Sequence, residues 1–202
     1  MKIYDSNTAP NPRRVRIFLA EKGIQIPYEQ VDLGKAVNRE PAFRQRNPLM
    51  TVPVLELDDG TCIAETVAIC RYFEELHPSP PLLGIDTKDR AIVEMWQRRM
   101  ELELLIPIAD AFRQRHDFFK GKIRQVPEYA AAQKQNAEER LVWLNDEMAS
   151  RPFIAGDRYT IADITAVVAI DFGRVSKIAI QPDQTHLKRW HETISARPSA
   201  KA

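Results

Sequence analysis

Residues 77–87 (HPSPPLLGIDT) separate two stretches of sequence with different patterns. Pro78, Pro80 and Pro81 fall within four residues, which favours an extended linker at a domain boundary. Before this segment, short apolar runs and turn signals predict strands mixed with helices. After it, only helical periodicity remains. We therefore predict an α/β domain over residues 1–77, a linker over 78–87 and an all-α domain over 88–202.

The first domain is predicted in the order βαβ and then ββα. Strands are expected over 1–4 and 28–33, and the helix between them begins near Pro12 and stops at Gly23. A hairpin over 52–64 and a helix over 66–76 complete the domain. The second domain is predicted to hold helices over 89–115, 127–150, 160–175 and 185–196, with Pro107 interrupting the first.

Composition excludes several classes of function. The seven glycines are scattered, so neither a Rossmann fingerprint nor a P-loop is present and no nucleotide cofactor is expected. A formal net charge of +1 argues against a nucleic-acid partner. The four histidines lack metal-ligand spacing, and Cys62 and Cys70 form no CxxC pair. With no export signal or membrane span visible, we expect a cytoplasmic protein without a membrane partner.

Two short motifs indicate a peptide-like ligand. Pro53, the second residue of the apolar run that begins at Val52, belongs at a strand edge or start. A cis Val52–Pro53 bond would turn the backbone N–H and C=O of Val52 outward toward a ligand, and an ordinary trans edge proline is the alternative. Thr66 is expected to cap the next helix. That helix start also suits a carboxylate, and Glu65 beside it suits an ammonium group.

A third motif, over residues 6–14 (SNTAPNPRR), leads from the first strand into the first helix. Small polar side chains at a helix N-terminus can donate hydrogen bonds to an anion such as a thiolate. The alternative is a capped loop followed by a solvated arginine pair.

Taken together, these motifs resemble a known family. Residues 47–55 (NPLMTVPVL) and 65–72 (ETVAICRY) are similar to the glutathione-binding half of a cytosolic glutathione S-transferase, of a bacterial, theta- or nu-like type. Residues 153–163 (FIAGDRYTIAD) are similar to the helical-domain signature of that family. Within it, Thr160 and Asp163 fit a capping box, which is a folding device. The resemblance implies a thioredoxin-like first domain and a helical second domain that contributes the electrophile site.

The resemblance also implies roles for individual residues toward glutathione. Val52 would pair through its backbone with the cysteinyl unit, and Pro53 would be the cis-proline. Glu65 and Thr66 would hold the γ-glutamyl ammonium and carboxylate groups. The glycyl carboxylate would be bound from the loop that carries Asn38 and Arg39, of which Arg39 is the permanent cation and the better partner. The alternative is that Arg39 is a solvated surface arginine.

The sequence departs from the family at the thiol-activating position. Ala9 stands where theta- and zeta-like members have a serine. No cysteine lies in this loop, so thiol exchange on it is excluded. Tyr4 is interpreted as structural. Asn11 has the only backbone N–H among residues 10–12 as well as a side-chain amide, so we rank Asn11, then Thr8, then Ser6 as thiolate stabilisers. Nu-like members use a Thr and an Asn here, with a spacing that differs by one residue.

We therefore predict a homodimeric glutathione S-transferase that joins glutathione to small hydrophobic electrophiles. The acceptor site is expected between the domains, near Thr8 and the helix that carries Met100, Glu103, Leu104 and Pro107. Two alternatives stay open at this point. One is a protein of this fold that binds a partner without catalysis, favoured by Ala9. The other is a nu-like, glutathione-dependent disulfide reductase, favoured by Thr8 and Asn11.

Overall fold

The computed structural model describes residues 1–202 and divides them into two compact units. The first comprises Met1–Leu82 together with Pro198–Ala202, and the second is Leu83–Arg197. The division falls inside the proline-rich segment. The last five residues differ from the predicted organisation, because they pack with the first unit rather than with the helices that precede them.

The first unit is built on a four-stranded sheet. In chain order its elements are β1 (Lys2–Asp5), α1 (Pro10–Glu21), β2 (Tyr28–Gln30), a 3₁₀ turn (Val37–Arg39), α2 (Pro41–Arg46), β3 (Val54–Glu56), β4 (Cys62–Ala64) and α3 (Thr66–Leu76). The strand order is β2-β1-β3-β4, with β1 and β2 parallel and the other pairs antiparallel. This βαβ–ββα order confirms the thioredoxin-like prediction.

The two faces of the sheet bury different side chains, as the two-residue period of a strand requires. Tyr4 pairs with Val54 across β1 and β3, and both lie in a cluster with Val31, Phe43 and Val52. Ile3 pairs with Leu55, and both side chains are fully buried.

Several boundaries in this unit differ from the prediction, three of them clearly. Helix α1 begins at Pro10 rather than near Pro12, because both prolines occupy first-turn positions whose N–H groups need no helical partner. Strand β2 ends at Gln30 rather than residue 33. Strand β3 starts at Val54, after Pro53, which has no N–H to donate to a ladder.

The second unit is helical. It contains α4 (Thr87–Arg99), a π-helical segment (Met100–Leu105), α5 (Ile106–Arg113), a 3₁₀ turn (Asp117–Phe119), α6 (Pro127–Glu147), α7 (Ile161–Gly173), a 3₁₀ turn (Arg174–Ser176) and α8 (Thr185–Ser195). Residues Ile161–Ile170 of α7 are buried on every side, so α7 is the central helix. None of the helices combines the length and apolarity needed to cross a bilayer.

The predicted interruption of the first long helix is confirmed. Pro107 lacks an N–H and its ring clashes with the carbonyl four residues earlier, at Glu103. The backbone accommodates this with the π-helical segment Met100–Leu105 immediately before it.

Candidate functional site

The strand register brings the predicted motifs to one end of the sheet. Tyr4 lies opposite Val54, and Val54 lies opposite Ala64. Ser6 follows β1, Val52 precedes β3 and Glu65 follows β4. Because of the register, these three residues lie at the same end of the sheet. Because α1 follows β1 and α3 follows β4, the N-termini of both helices also lie at this end. The N-termini of α1 and α3 therefore place two partial positive charges at this end of the sheet.

The loop from β1 to α1 is held by short-range contacts. The Ala9 N–H donates to the Ser6 carbonyl at 3.1 Å, and the Ser6 and Thr8 hydroxyl oxygens are 3.4 Å apart. Ser6 is buried, whereas Thr8 is exposed. Ala9 is the N-cap of α1 and provides no side-chain cap. The start of α1 therefore lacks the hydroxyl that a serine at position 9 would supply.

Asn11 supplies the free hydrogen-bond donors at the start of α1. Pro10 and Pro12 have no N–H, and the N–H of Ala9 is already paired with Ser6. The Oδ1 atom of Asn11 accepts a hydrogen bond from the Arg14 guanidinium at 3.1 Å. This contact commits the oxygen end of the side chain and leaves the amide Nδ2 group, together with the backbone N–H, to bind an anion.

Arg14 is not part of a solvated arginine pair, because only 1% of its surface is exposed. Its guanidinium is a fixed positive charge one helical turn from Asn11. Arg13 is partly exposed and donates to the Ala200 carbonyl at 3.0 Å.

Val52 and Pro53 lie at the middle of this end of the sheet, just before the internal strand β3. The Val52–Pro53 peptide bond is cis, as the resemblance implies. Neither the N–H nor the C=O of Val52 makes a backbone hydrogen bond within the chain. The backbone N–H and C=O of this residue, just before β3 begins, are therefore available to pair with an extended peptide.

Asn47 shapes the loop before this edge, a role that the sequence analysis did not assign. It is 2% exposed, and its Nδ2 atom donates to the carbonyl and the hydroxyl of Thr51, both at 2.9 Å. Its Oδ1 atom accepts the Leu49 N–H at 3.1 Å, an Asx turn that the Asn47-Pro48 dipeptide favours.

Asn38 and Arg39 lie on the 3₁₀ turn Val37–Arg39 and have different surroundings. The Nδ2 atom of Asn38 donates to the Met50 carbonyl at 2.7 Å, where Met50 has a left-handed φ of 55°. Asn38 thus supports the loop that leads to Val52. Arg39 is exposed, and its guanidinium makes no ion pair in the structure. Of the two, Arg39 has the free group that a carboxylate would need.

Glu65 and Thr66 form the junction between β4 and α3. Glu65 has φ +70° and ψ 122°, a conformation that side-chain-bearing residues rarely adopt and that costs about 1–3 kcal/mol. Its side chain is exposed. The expectation that Thr66 caps α3 is wrong: Glu65 occupies the N-cap, Thr66 is the first helical residue, and no side-chain cap is made. The Thr66 side chain is buried and makes no capping hydrogen bond to α3.

The interpretation of Tyr4 as structural agrees with its contacts. Its hydroxyl donates to Glu56 Oε2 at 2.8 Å, and its ring packs edge-on against Phe43. Burial and the bond to Glu56 raise the pKa of the Tyr4 hydroxyl. The same bond lowers the pKa of Glu56.

The residues expected to line the acceptor site are largely interior. Met100 and Leu104 are fully buried, and Pro107 is also buried. They belong to the core of the helical unit, as their i, i+4, i+7 spacing more often indicates. Glu103 pairs with Arg140 at 3.0 Å. The exposed apolar side chains of this stretch are instead Leu102 and Ile106, at 43% and 39%.

Fold and site together define a class: a thioredoxin-like domain with a cis-proline and an unpaired Val52 backbone at one end of its sheet, followed by a helical domain. The family model described as glutathione S-transferase, N-terminal domain, matches residues 8–76, and the model for the C-terminal domain matches residues 91–198. The chain therefore belongs to the glutathione S-transferase family.

Individual relatives agree with this assignment. Glutathione S-transferase 2 of Saccharomyces cerevisiae is 35% identical over 208 residues, covering 100% of this chain and 88% of the relative. The structure of a glutathione S-transferase domain-containing protein from Marinobacter aquaeolei VT8 is 40% identical, with a TM-score of 0.94 over 98% of this chain and 99% of its own. Gtt2 from Saccharomyces cerevisiae has a TM-score of 0.95 at 34% identity, covering 100% and 99%. The theta- or nu-like subclass stays a prediction.

Proposed function

We propose that this protein conjugates glutathione to small electrophiles through a bound thiolate. The observation that carries this proposal is the pair of free donors on Asn11 at the positive end of α1, at the same end of the sheet as the unpaired backbone of Val52. A free thiol has a pKa of about 8.5. Lowering it by two units requires about 2.7 kcal/mol. Two hydrogen bonds to the anion and a helix dipole are of this magnitude.

The rest of the site fits the tripeptide. The backbone of Val52 beside Pro53 pairs with the cysteinyl unit, Thr66 and the α3 N-terminus hold the γ-glutamyl carboxylate, and Glu65 faces the ammonium group. Arg39 is the partner proposed for the glycyl carboxylate, with Asn38 as the alternative. Asn11 stabilises the sulfur, and Thr8 and Ser6 rank after it because their hydroxyls lie close to one another.

The chemical step is a displacement. The thiol gives up its proton to solvent, the thiolate forms a bond to the electrophilic carbon, and the leaving group departs with its electron pair. Holding the thiolate beside the acceptor supplies much of the acceleration. The helical unit is proposed to contribute the electrophile site. No metal or nucleotide takes part in this scheme.

The direct test combines calorimetric titration with glutathione and a conjugation assay with a chlorodinitrobenzene. We expect saturable binding and turnover that saturates in both substrates. Absence of binding at millimolar glutathione would contradict the proposal. We also propose a cytoplasmic homodimer, which sedimentation of the purified protein and fractionation of cells would check.

Ala9 supports a second candidate, a protein of this family that binds glutathione or a partner without catalysis. The uncapped start of α1 has no hydroxyl at the usual position. Glutathione binding without conjugation would favour this candidate over the transferase.

Thr8 and Asn11 support a third candidate, reduction of a disulfide by two bound glutathiones. The first thiolate attacks the disulfide and releases one thiolate. The thiolate of the second glutathione then attacks the glutathione sulfur of the mixed disulfide, which forms oxidised glutathione and releases the other half of the substrate as a thiolate. Turnover of a small disulfide that greatly exceeds conjugation would favour this reaction.

A further inference from the structure

A cleft lies within the helical unit, at the C-terminal end of α5, the N-terminal half of α6 and the turn after α7. It encloses about 150 Å³. Its apolar lining consists of Ala111, Phe112, Ala130 and Val175, and its polar lining of Arg115, His116, Lys134 and Ser176. An apolar cavity of about this volume is known to accept a benzene-sized ring. The size of the cleft thus limits its ligand to roughly one aromatic ring.

The charged side chains that line the cleft are all basic, although the chain as a whole has a formal net charge of only +1. Residues 113–126 (RQRHDFFKGKIRQV) contain five arginines and lysines against one acid, Asp117. Arg115 makes no ion pair in the structure. Lys134 has one carboxylate neighbour, Glu138 Oε1 at 3.6 Å, a solvent-exposed contact of little strength. Arg115 therefore brings to the cleft a positive charge with no ion-pair partner, and Lys134 adds a positive charge that is only weakly paired.

His116 and Phe112 provide the remaining features of a site for an aromatic ligand. The Nδ1 atom of His116 accepts the Phe118 N–H at 3.1 Å, so the neutral ring carries its proton on Nε2 and donates there. The His116 ring packs at 4.5 Å from the Phe112 ring, measured between centroids. Hydrogen-bond donors thus stand beside an aromatic surface.

We propose that this cleft binds a single-ring aromatic anion of the benzoate class. Its ring lies against Phe112 and its carboxylate is bound by Arg115 and Lys134, with His116 and Ser176 as further donors. The site is separate from the residues assigned to glutathione and does not depend on the proposed transferase activity.

The experiment is a ligand-observed NMR titration of the full-length protein with benzoate and with neutral benzamide. We expect benzoate to bind and benzamide to bind about tenfold more weakly. The double variant Arg115→Ala/Lys134→Ala should lose about tenfold in benzoate affinity, or about 1.4 kcal/mol. Its circular dichroism and glutathione titration should be unchanged, because both side chains lie outside the core.

The matched control is Lys120→Ala/Arg124→Ala, which removes two cations from the same end of the unit but outside the cleft. It should retain benzoate affinity. Equal binding of benzamide, or equal losses in the two double variants, would overturn the proposal. So would pelleting of the protein with phosphatidylserine vesicles in the absence of benzoate binding, because the cationic end would then serve a lipid surface.

Discussion

At the scale of the residue, Asn11 concentrates the donors of the α1 start in one side chain and one amide. Two prolines remove the neighbouring N–H groups, and Arg14 holds the oxygen end of the Asn11 side chain. We therefore propose Asn11 as the dominant source of thiolate stabilisation. Glu65, with its φ of +70°, is a residue of the proposed site whose backbone is strained.

Asn11→Ala should raise the pKa of the bound glutathione thiol by about one unit, because one charge-assisted hydrogen bond of the required size is lost. Below that pKa, kcat/KM should fall about tenfold while the glutathione Kd stays within about twofold. The measurements are the pH profile of conjugation and the ultraviolet absorbance of the bound thiolate.

Asn7→Ala is the matched control for this experiment. Asn7 is an exposed asparagine of the same loop, and its recorded contact is from its backbone N–H to Gln30, so the pH profile should not move. A profile for Asn11→Ala that matches the unmodified protein would show that Asn11 does not act on the sulfur.

Thr66→Val should raise the KM for glutathione about five- to tenfold and leave the Tm unchanged. The hydroxyl makes no capping bond, so its removal does not weaken α3, whereas a capping threonine would cost about 1 kcal/mol. Thr87→Val is matched, since Thr87 is also the first residue of a helix whose N-cap precedes it. That variant should change neither quantity. A lowered Tm with unchanged KM would assign Thr66 a structural role.

At the scale of the element, α7 depends on one buried carboxylate. Asp163 is fully buried and accepts hydrogen bonds from the backbone of Ile154 and Thr160 and from the Trp190 indole, each at 2.9 Å. With the Thr160 side chain it forms a capping box. The folding role predicted for this motif is confirmed, and its reach to α8 through Trp190 was not predicted.

The pH dependence of stability should show the state of Asp163. Burial raises its pKa from 3.8 to about 6, although the hydrogen bonds oppose the shift. Because the folded state binds the proton more tightly, this group's contribution is complete below pH 3.8 and is lost as the pH rises through 6, by up to about 3 kcal/mol. Urea unfolding across this window measures the loss.

Asp163→Asn should abolish that slope and should destabilise the fold by several kcal/mol, because its amide presents hydrogens to existing donors. If the variant does not fold, Trp190→Phe, which removes one donor, should steepen the slope. An unchanged slope in either variant would remove Asp163 as its source.

The π-helical segment Met100–Leu105 separates buried from exposed apolar residues. Leu104→Ala should reduce the free energy of unfolding by about 2–5 kcal/mol, because its side chain is fully buried. Leu102→Ala, at a 43% exposed position, should cost less than about 0.5 kcal/mol. Chemical denaturation of the two variants measures the difference. Equal destabilisation would contradict this division.

At the scale of the whole molecule, the chain returns to its first unit at the end. Arg13 donates to the Ala200 carbonyl at 3.0 Å, and the Ser199 hydroxyl donates to Glu21. The 3₁₀ segment Pro198–Lys201 thus contacts α1, the helix that carries Asn11.

Removal of residues 198–202 should speed hydrogen exchange in the amides of α1 and leave those of α7 unchanged, because these contacts lie within the first unit. Mass spectrometry of exchanged peptides measures both regions in one sample. Lys201→Ala, at an exposed position, is the control and should exchange like the unmodified protein. Equal acceleration in α7 would mean that the last residues stabilise the whole chain.

The family and much of the fold could be predicted from the sequence, because hydrophobic periodicity, turn residues and prolines influence the backbone locally. These signals predicted the βαβ–ββα order, the helical second half, the capping box and the break at Pro107. Boundaries were less accessible: the start of α1 shifted to Pro10 because both prolines suit a first turn. The spacing of Met100, Leu104 and Pro107 could not distinguish a site from a core.

The amino-acid sequence was enough to identify the family and the residue types of the proposed glutathione site, because both depend on motifs that follow one another along the chain. Tertiary structure alone decided which groups are free. Arg14 is buried and turns the Asn11 side chain, Asn38 is engaged by Met50, and Thr66 does not cap. It also brings Arg115, from the turn after α5, and Lys134, from α6, to one cleft. Whether a donor or a charge is free depends on which groups the folded backbone places beside it, and the residue types alone do not determine that.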